Sequence, residues 1–372
     1  MFNEAFCCGT QTNDNESIAP SFEVRFQQSH SQDGNESLAN GLCLALESPC
    51  SNLRERRLQD GGIVCNYGGQ PAPTTIPPVR AIQAIAQMPG GSQSKLMLGE
   101  DRNLWVVKFK NNPQHLKILV NELMASRMAE AIGLSVPQSG IIHVTQELVE
   151  NNQQLLVDHG RGWREMCSSG LQFGSRFVGG LMPRQVIDFL PCEELYTVRN
   201  LEEFAGMLAF DKWTSNTDRR QAVFRRTARE TQYGAVFVDH GFCFSGSKWT
   251  FQNAIVQGLY AHKSAYSTVT SWSSFEPWLT RIEQFNPDAL WKIAQAIPPE
   301  WYRGDTYDLE ELVETLLVRR SSVRELIRHL QQSSYTPFPN WKNDRYAILH
   351  ECILPYEGMY ICKNGIATAA EV

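Results

Sequence analysis

"FDKWTSNTDRRQAVF", Phe210 to Phe224, closes an apolar run with two aspartates, an asparagine and a pair of arginines. Shortly downstream, "AVFVDHGFCF" (Ala235 to Phe244) sets Asp239 between a hydrophobic strand and a glycine. Two acidic loops at the ends of apolar elements suit a site that handles phosphate and a cation. Ordinary turns look the same. The decision rests on whether a lysine, a second acid and a phosphate-covering loop stand elsewhere in the chain in a workable order.

Within these loops each residue type has a use. Asp218 follows Asn216 and Thr217 in the turn after a helix and can accept a proton from, or orient, an acceptor hydroxyl. Arg219 and Arg220 can neutralise phosphate or pair with acids. Asp239 ends an apolar strand and offers hard oxygen ligands to Mg²⁺. His240 reads as an orienting or packing residue, and Asp211 as a structural residue on the polar face of the preceding helix. That helix, "LEEFAGMLAFDKW", follows Asn200, read as its cap, with Glu203 spaced to reach back to it.

Upstream, alternation and turn residues predict an antiparallel meander: "VRAIQAIAQ" and "KLMLGED" as strands, then "LWVVKF" after the turn "GEDRN". "HLKILVNELMASRMAEAIGL" reads as a helix closed by Gly133, "GIIHV" as a fourth strand and "LQFGSRFVGG" as a fifth. Residues 150–200 are otherwise irregular. Lys108 ends the third strand and shares a face with Val106, so it is either solvated or turned inward. Glu122 borders the apolar face of the helix that follows, where an unpaired acid is costly. Lys108 is its natural partner. Between the first two strands, "PGGSQSK" (Pro89 to Lys95) can bring backbone amides at Gly90 and Gly91 and the hydroxyls of Ser92 and Ser94 to a polyphosphate. It lacks Walker A spacing. A glycine pair between strands is also a common hairpin.

In this order, "MPGGSQSK", Lys108, Glu122, "NTDRRQAVF" and "VDHG" resemble the HipA-like kinase family, within the protein-kinase-like and phosphoinositide-kinase-like superfamily. The resemblance runs from about Val79 to Leu330. It implies an α+β, bilobed protein-kinase-like fold: a small antiparallel-sheet N-lobe with one main helix (75–180) and a larger helical C-lobe (181–330). It also implies ATP and Mg²⁺ in the cleft. Lys108 would contact phosphate, Glu122 would fix the lysine, Asp218 would be the catalytic acid/base and Asp239 the metal ligand. One departure stands out. The family's loop runs Asp-Arg-His with an asparagine a few residues later as second metal ligand, whereas here Asp218 is followed by Arg219, Arg220, Gln221, Ala222 and Val223. Either the Gln221 amide oxygen substitutes as metal ligand, or one metal is lost.

The remaining chain is read from composition. Residues 1–74 contain nine acids against four arginines, no lysine and no sustained period, and are expected to be poorly ordered. "GGQPAPTTIPPV" reads as a linker, and the tail 331–372 carries a hairpin signal at Asn364–Gly365. The ten cysteines include no Cys-x-x-Cys pair, so structural zinc is not expected. Reduced thiols, a net charge of −6 and the absence of a long apolar stretch predict a cytoplasmic protein that engages neither nucleic acid nor membrane. Its expected partners are ATP and an unidentified protein or small-molecule phosphoryl acceptor, a protein Ser/Thr hydroxyl or the chain itself by the resemblance. The alternatives are a nucleotide-binding pseudokinase or a non-enzymatic interaction module of the same fold, or an α+β protein in which these motifs coincide.

Overall fold

The computed structural model describes residues 77–179 and 184–342, together with the strands at 359–362 and 365–368. The expectation of a poorly ordered segment at 1–74 lies outside the described residues.

Three strands open the fold, β1 (Val79–Gln87), β2 (Lys95–Gly99) and β3 (Leu104–Lys108), and they pair in sequence as an antiparallel meander. Helix α1 (Ile118–Ala131) follows, then β4 (Ser139–Val144), a short helix α2 (Gln146–Glu150) and a hairpin of β5 (Leu156–Asp158) with β6 (Arg164–Met166). Strand β7 (Gly170–Arg176) lies antiparallel between β3 and β4. A parallel pairing of β4 with β1, through Val79 opposite Ile142 and Arg80 opposite His143, closes the five strands into a barrel. Closure pairs both edges of the sheet. Alternation fills the interior with Met97, Trp105, Val107, Ile142 and Val144.

Helix α1 is buried on every side from Ile118 to Ala129. Such a helix belongs to a core rather than a surface. One side packs on β4 and β7 of the barrel, the other on the helical part of the chain. Its C-terminus is closed at Gly133, which takes φ +82° and donates its N–H to the Glu130 carbonyl.

The helical part begins after β8 (Val186–Ile187) with α3 (Glu203–Thr214), which is buried from Phe204 onward. The antiparallel pair β9 (Gln221–Arg225) and β10 (Gly234–Val238) joins β8 in a three-stranded sheet, β9 central. Then come α4 (Trp278–Glu283), α5 (Pro287–Gln295), α6 (Thr306–Arg319) and α7 (Val323–Gln332). Asn286 caps α5 by accepting the Asp288 N–H at 2.8 Å. Helix α6 is capped by Asp305, which accepts the Asp308 N–H at 3.1 Å, while the Asp308 carboxylate pairs with Lys117 ahead of α1. Past α7, Phe338 and Trp341 pack with Trp272 and Phe275. Strands β11 (Met359–Cys362) and β12 (Gly365–Thr368) pair antiparallel.

The capping box expected ahead of α3 does not form. Asn200 clamps β10, accepting the Ala235 N–H at 2.8 Å and donating to the Ala235 carbonyl at 3.0 Å. Glu203 accepts from the Ser135 amide at 2.7 Å and its hydroxyl at 2.9 Å. Both side chains satisfy groups distant in sequence, and those tertiary bonds replace the local ones.

Candidate active site

Lys108 leaves the end of β3 on the face opposite Trp105 and Val107, where α1 covers it. Its Nζ pairs with Glu122 Oε1 and lies 3.0 Å from Asp239 Oδ1. Glu122 is 3% exposed, so it stands within the helix packing rather than at its border. Its other oxygen accepts the His240 backbone N–H at 3.1 Å. Burial works against the Lys108 ammonium, but the two carboxylates outweigh it and push its pKa up. Burial likewise opposes the Asp239 carboxylate, yet Lys108 beside it holds that carboxyl well below the usual range.

The backbone around Asp239 is shaped for this contact. Asp239 takes φ +61°, an uncommon conformation for a residue with a Cβ. Arg220 stabilises it by donating from Nη1 to the carbonyls of Val238 at 2.9 Å and Asp239 at 3.2 Å. Gly241 lets the following turn lie directly on α1, since a Cβ there would stand 2.8 Å from Ile118 and 3.2 Å from Glu122 Oε1. That is the physical need for glycine two residues after the aspartate.

Arg220 also ties the two acidic loops together. Its Nε and Nη2 engage both oxygens of Asp211 at 3.0 and 2.5 Å, and Asn216 adds a bond to Asp211 at 3.0 Å. Asp211 is thus fully buried, and its expected place on a polar helix face is corrected: the solvent it would have faced is replaced by Arg220. Asp218 itself is exposed on the turn, its Oδ1 accepting the Arg219 N–H at 2.7 Å. Gln221 starts β9, and its Nε2 lies 3.2 Å from Asp239 Oδ2. Burial drives the His240 pKa far down, with Arg220 adding to the effect, so its ring stays neutral and packs edge-on to Phe210.

The structure therefore brings Lys108, Glu122, Asp239 and Gln221 into contact, with Asp218 on the loop that Arg220 fixes to Asp239. The glycine loop is a partial correction. Gly90, at φ +114°, and Gly91 are exposed at its tip, but Ser92 and Ser94 are only 8% and 4% exposed. Their loop is fastened to the β5–β6 hairpin, Gln93 bonding Asp158 at 2.5 and 2.8 Å and Lys95 reaching the Leu156 carbonyl at 2.6 Å. The irregular sequence of that hairpin hid this partner, and with it the reason the serines turn inward.

Asn121 escaped the sequence reading altogether. It is fully buried beside Glu122, donates to the carbonyls of Gly241, Cys243 and Gly246 at 2.7–3.0 Å, and accepts from Trp249 Nε1 at 2.8 Å. One amide thus anchors the whole segment after Asp239. An asparagine within an apolar helical run was the available signal. Among the described residues no three His, Cys, Asp or Glu side chains cluster to hold a metal unaided. Gln221 points its N–H at Asp239, so the two offer oxygen ligands to a hard cation only with the amide turned over, the remaining ligands then coming from phosphate and water, the usual habit of Mg²⁺.

The arrangement is that of a mixed α+β kinase-like protein, with a sheet-rich N-terminal part followed by helices. A family model described as HipA-like kinase matches residues 82–336, and the chain belongs to that family. No curated protein matches it in sequence. Similar solved structures include the Golgi casein kinase, 12% identical with a TM-score of 0.44 over 69% of this chain and 73% of that one. The Helicobacter pylori proinflammatory kinase CtkA is 14% identical with a TM-score of 0.40, covering 66% and 99% of the two chains. HipA of Shewanella oneidensis MR-1 is 13% identical with a TM-score of 0.35 over 72% and 69%.

Proposed function

We propose that the chain is an ATP- and Mg²⁺-dependent phosphotransferase that passes the γ-phosphoryl group to a protein Ser or Thr hydroxyl or to itself, the nucleotide lying between the barrel and the helical part as in a bilobed kinase. The observation that carries this reading is the Lys108 ammonium held between Glu122 and Asp239. A lysine kept charged at a strand end, beside the partly exposed carboxylate of Asp239, is the pairing that phosphoryl transfer requires. Lys108 would hold the phosphates, and Glu122 would keep the ammonium aimed. The exposed backbone of Gly90 and Gly91 would cover the phosphates, while the Ser92 and Ser94 hydroxyls reach them only once the loop leaves the β5–β6 hairpin. Asp239 and Gln221 would hold Mg²⁺, Gln221 through its Oε1 after the amide turns over. The bound ion neutralises charge on the phosphate oxygens. Asp218, exposed and positioned by Arg220, would orient the acceptor hydroxyl and take its proton.

The test is incubation of the purified chain with labelled ATP and Mg²⁺, alone and with cell lysate, followed by mass spectrometry for phosphosites. Transfer to serine or threonine supports the reading. ATP binding without transfer favours a second one, a nucleotide-binding pseudokinase, for which the glutamine in place of the family's asparagine is the specific observation.

A further inference from the structure

The segment Phe251–Leu259 is tied to the candidate active site by its backbone, with Phe251 and Leu259 turned toward the core and residues 252–256 exposed between them. Lys212, buried on α3, donates to the carbonyls of Ile255 at 2.7 Å and Gln257 at 2.8 Å. Arg319, buried on α6, reaches Asn253 Oδ1 at 2.8 Å and lies over the Phe251 ring. Ser215 donates to the Gln252 carbonyl at 2.5 Å. The far end meets the Asp218 loop: Gly258 donates to the Asp218 carbonyl at 3.2 Å, and the Arg220 amide donates to the Leu259 carbonyl at 3.2 Å. Gly258 lies so close that a Cβ would stand 2.4 Å from Asp211 Cβ.

Burying a lysine and an arginine costs free energy that carbonyl partners only partly return. Here the lysine holds one turn of chain in place, and the arginine ties that chain to the end of α3 by donating to the Lys212 and Trp213 carbonyls at 2.8 and 3.0 Å as well as to Asn253. That turn displays an uncharged apolar run, Ala254-Ile255-Val256, with Ile255 43% and Val256 48% exposed. A floppy loop could carry exposed aliphatics without consequence. A rigid one, a residue or two from the backbone that carries Asp218, presents them at a constant distance from the acceptor hydroxyl.

We propose that Ile255 and Val256 form an acceptor-docking platform that selects polypeptide substrates carrying an aliphatic residue next to the phosphorylated Ser or Thr, with Lys212 as its positioning residue. The proposal rests on the phosphotransferase reading. Continuity with Asp218 points to the acceptor as occupant, and the absence of charge on the run points to an aliphatic contact.

The experiment compares synthetic peptides with a central serine flanked by leucine or by asparagine, using Mg-ATP and the full chain. Wild type should phosphorylate the leucine-flanked peptide about 10-fold faster or more in kcat/KM, the scale of burying one aliphatic side chain. Ile255→Asn/Val256→Asn should bring that ratio close to one. Lys212→Met should reduce the ratio by raising KM rather than lowering kcat, which a purely structural role would not do. ATP binding on the same preparations checks that each variant is folded. If wild type binds no Mg-ATP, the phosphotransferase reading fails and this inference with it. If it binds Mg-ATP but phosphorylates no peptide, transfers only to a second copy of the chain, or ignores the flanking residue, this inference alone is overturned.

Discussion

Lys108 pairs with two carboxylates at once, so its removal leaves Glu122 and Asp239 beside each other without the cation they share. Breaking a buried pair from one side costs about 3–5 kcal/mol. Lys108→Ala should therefore lower stability on that scale in urea unfolding and weaken ATP binding. Adding Glu122→Gln should recover part of the stability and none of the binding. Strictly additive losses in the double variant would contradict the contact. Lys212 gives a second test at this scale, through pH. Its burial pulls the pKa from 10.5 down to about 8, only partly offset by Asp211. Between about pH 8 and 10.5 the unfolded chain holds a proton that the folded chain has released, so this group's contribution to stability rises with pH across that window. In paired unfolding titrations of wild type and Lys212→Met, the difference should shift toward wild type from pH 8 to 10. A flat difference would mean that Lys212 ionises as it does in water.

At the scale of elements, α1 couples the barrel to the segment after Asp239, and Asn121 is the joint. Asn121→Ala strands three carbonyls and an indole N–H, at a cost of about 1–3 kcal/mol. Because the segment starts beside Asp239, Mg²⁺-dependent ATP binding should weaken more than binding of ATP alone. Calorimetry with and without Mg²⁺ checks this, and an unchanged Mg²⁺ effect in a destabilised variant would separate the segment from the site. This joint also shows where sequence reading stops. The meander, α1 and α3 were legible because alternation and helical period are local, and the order of Lys108, Glu122, Asp218 and Asp239 was legible because chain order survives folding. The parallel β1–β4 pairing that closes the barrel was not, since strands separated by α1 leave no joint pattern. The partners of Asn200, Glu203 and Asn121 were hidden for the same reason: each is polar and looks like a cap or a surface residue until the distant backbone it serves is in view.

Across the whole described chain, the barrel and the helical part are held together on the side of α1. Trp301 donates to the Leu171 carbonyl at 2.9 Å, Lys110 pairs with Glu300 at 2.8 Å, and Lys117 pairs with Asp308. Arg281 adds a bond to the Ile132 carbonyl at 2.8 Å. These contacts keep Lys108, from the barrel, and Asp239, from the helical part, at one place, and the proposed chemistry depends on that meeting. The most direct measurement is ATP titration by calorimetry, with and without Mg²⁺, on wild type, Asp239→Asn and Asp218→Asn, with phosphate transfer followed on the same preparations. Asp239→Asn should abolish most of the Mg²⁺-dependent gain in ATP affinity, because the amide keeps the shape but loses the charge that holds a hard cation. Asp218→Asn should leave ATP affinity within a few-fold of wild type while transfer falls about 10²-fold or more. A wild-type chain that binds no ATP, or an Asp239→Asn variant that keeps the full Mg²⁺ effect, would contradict the account.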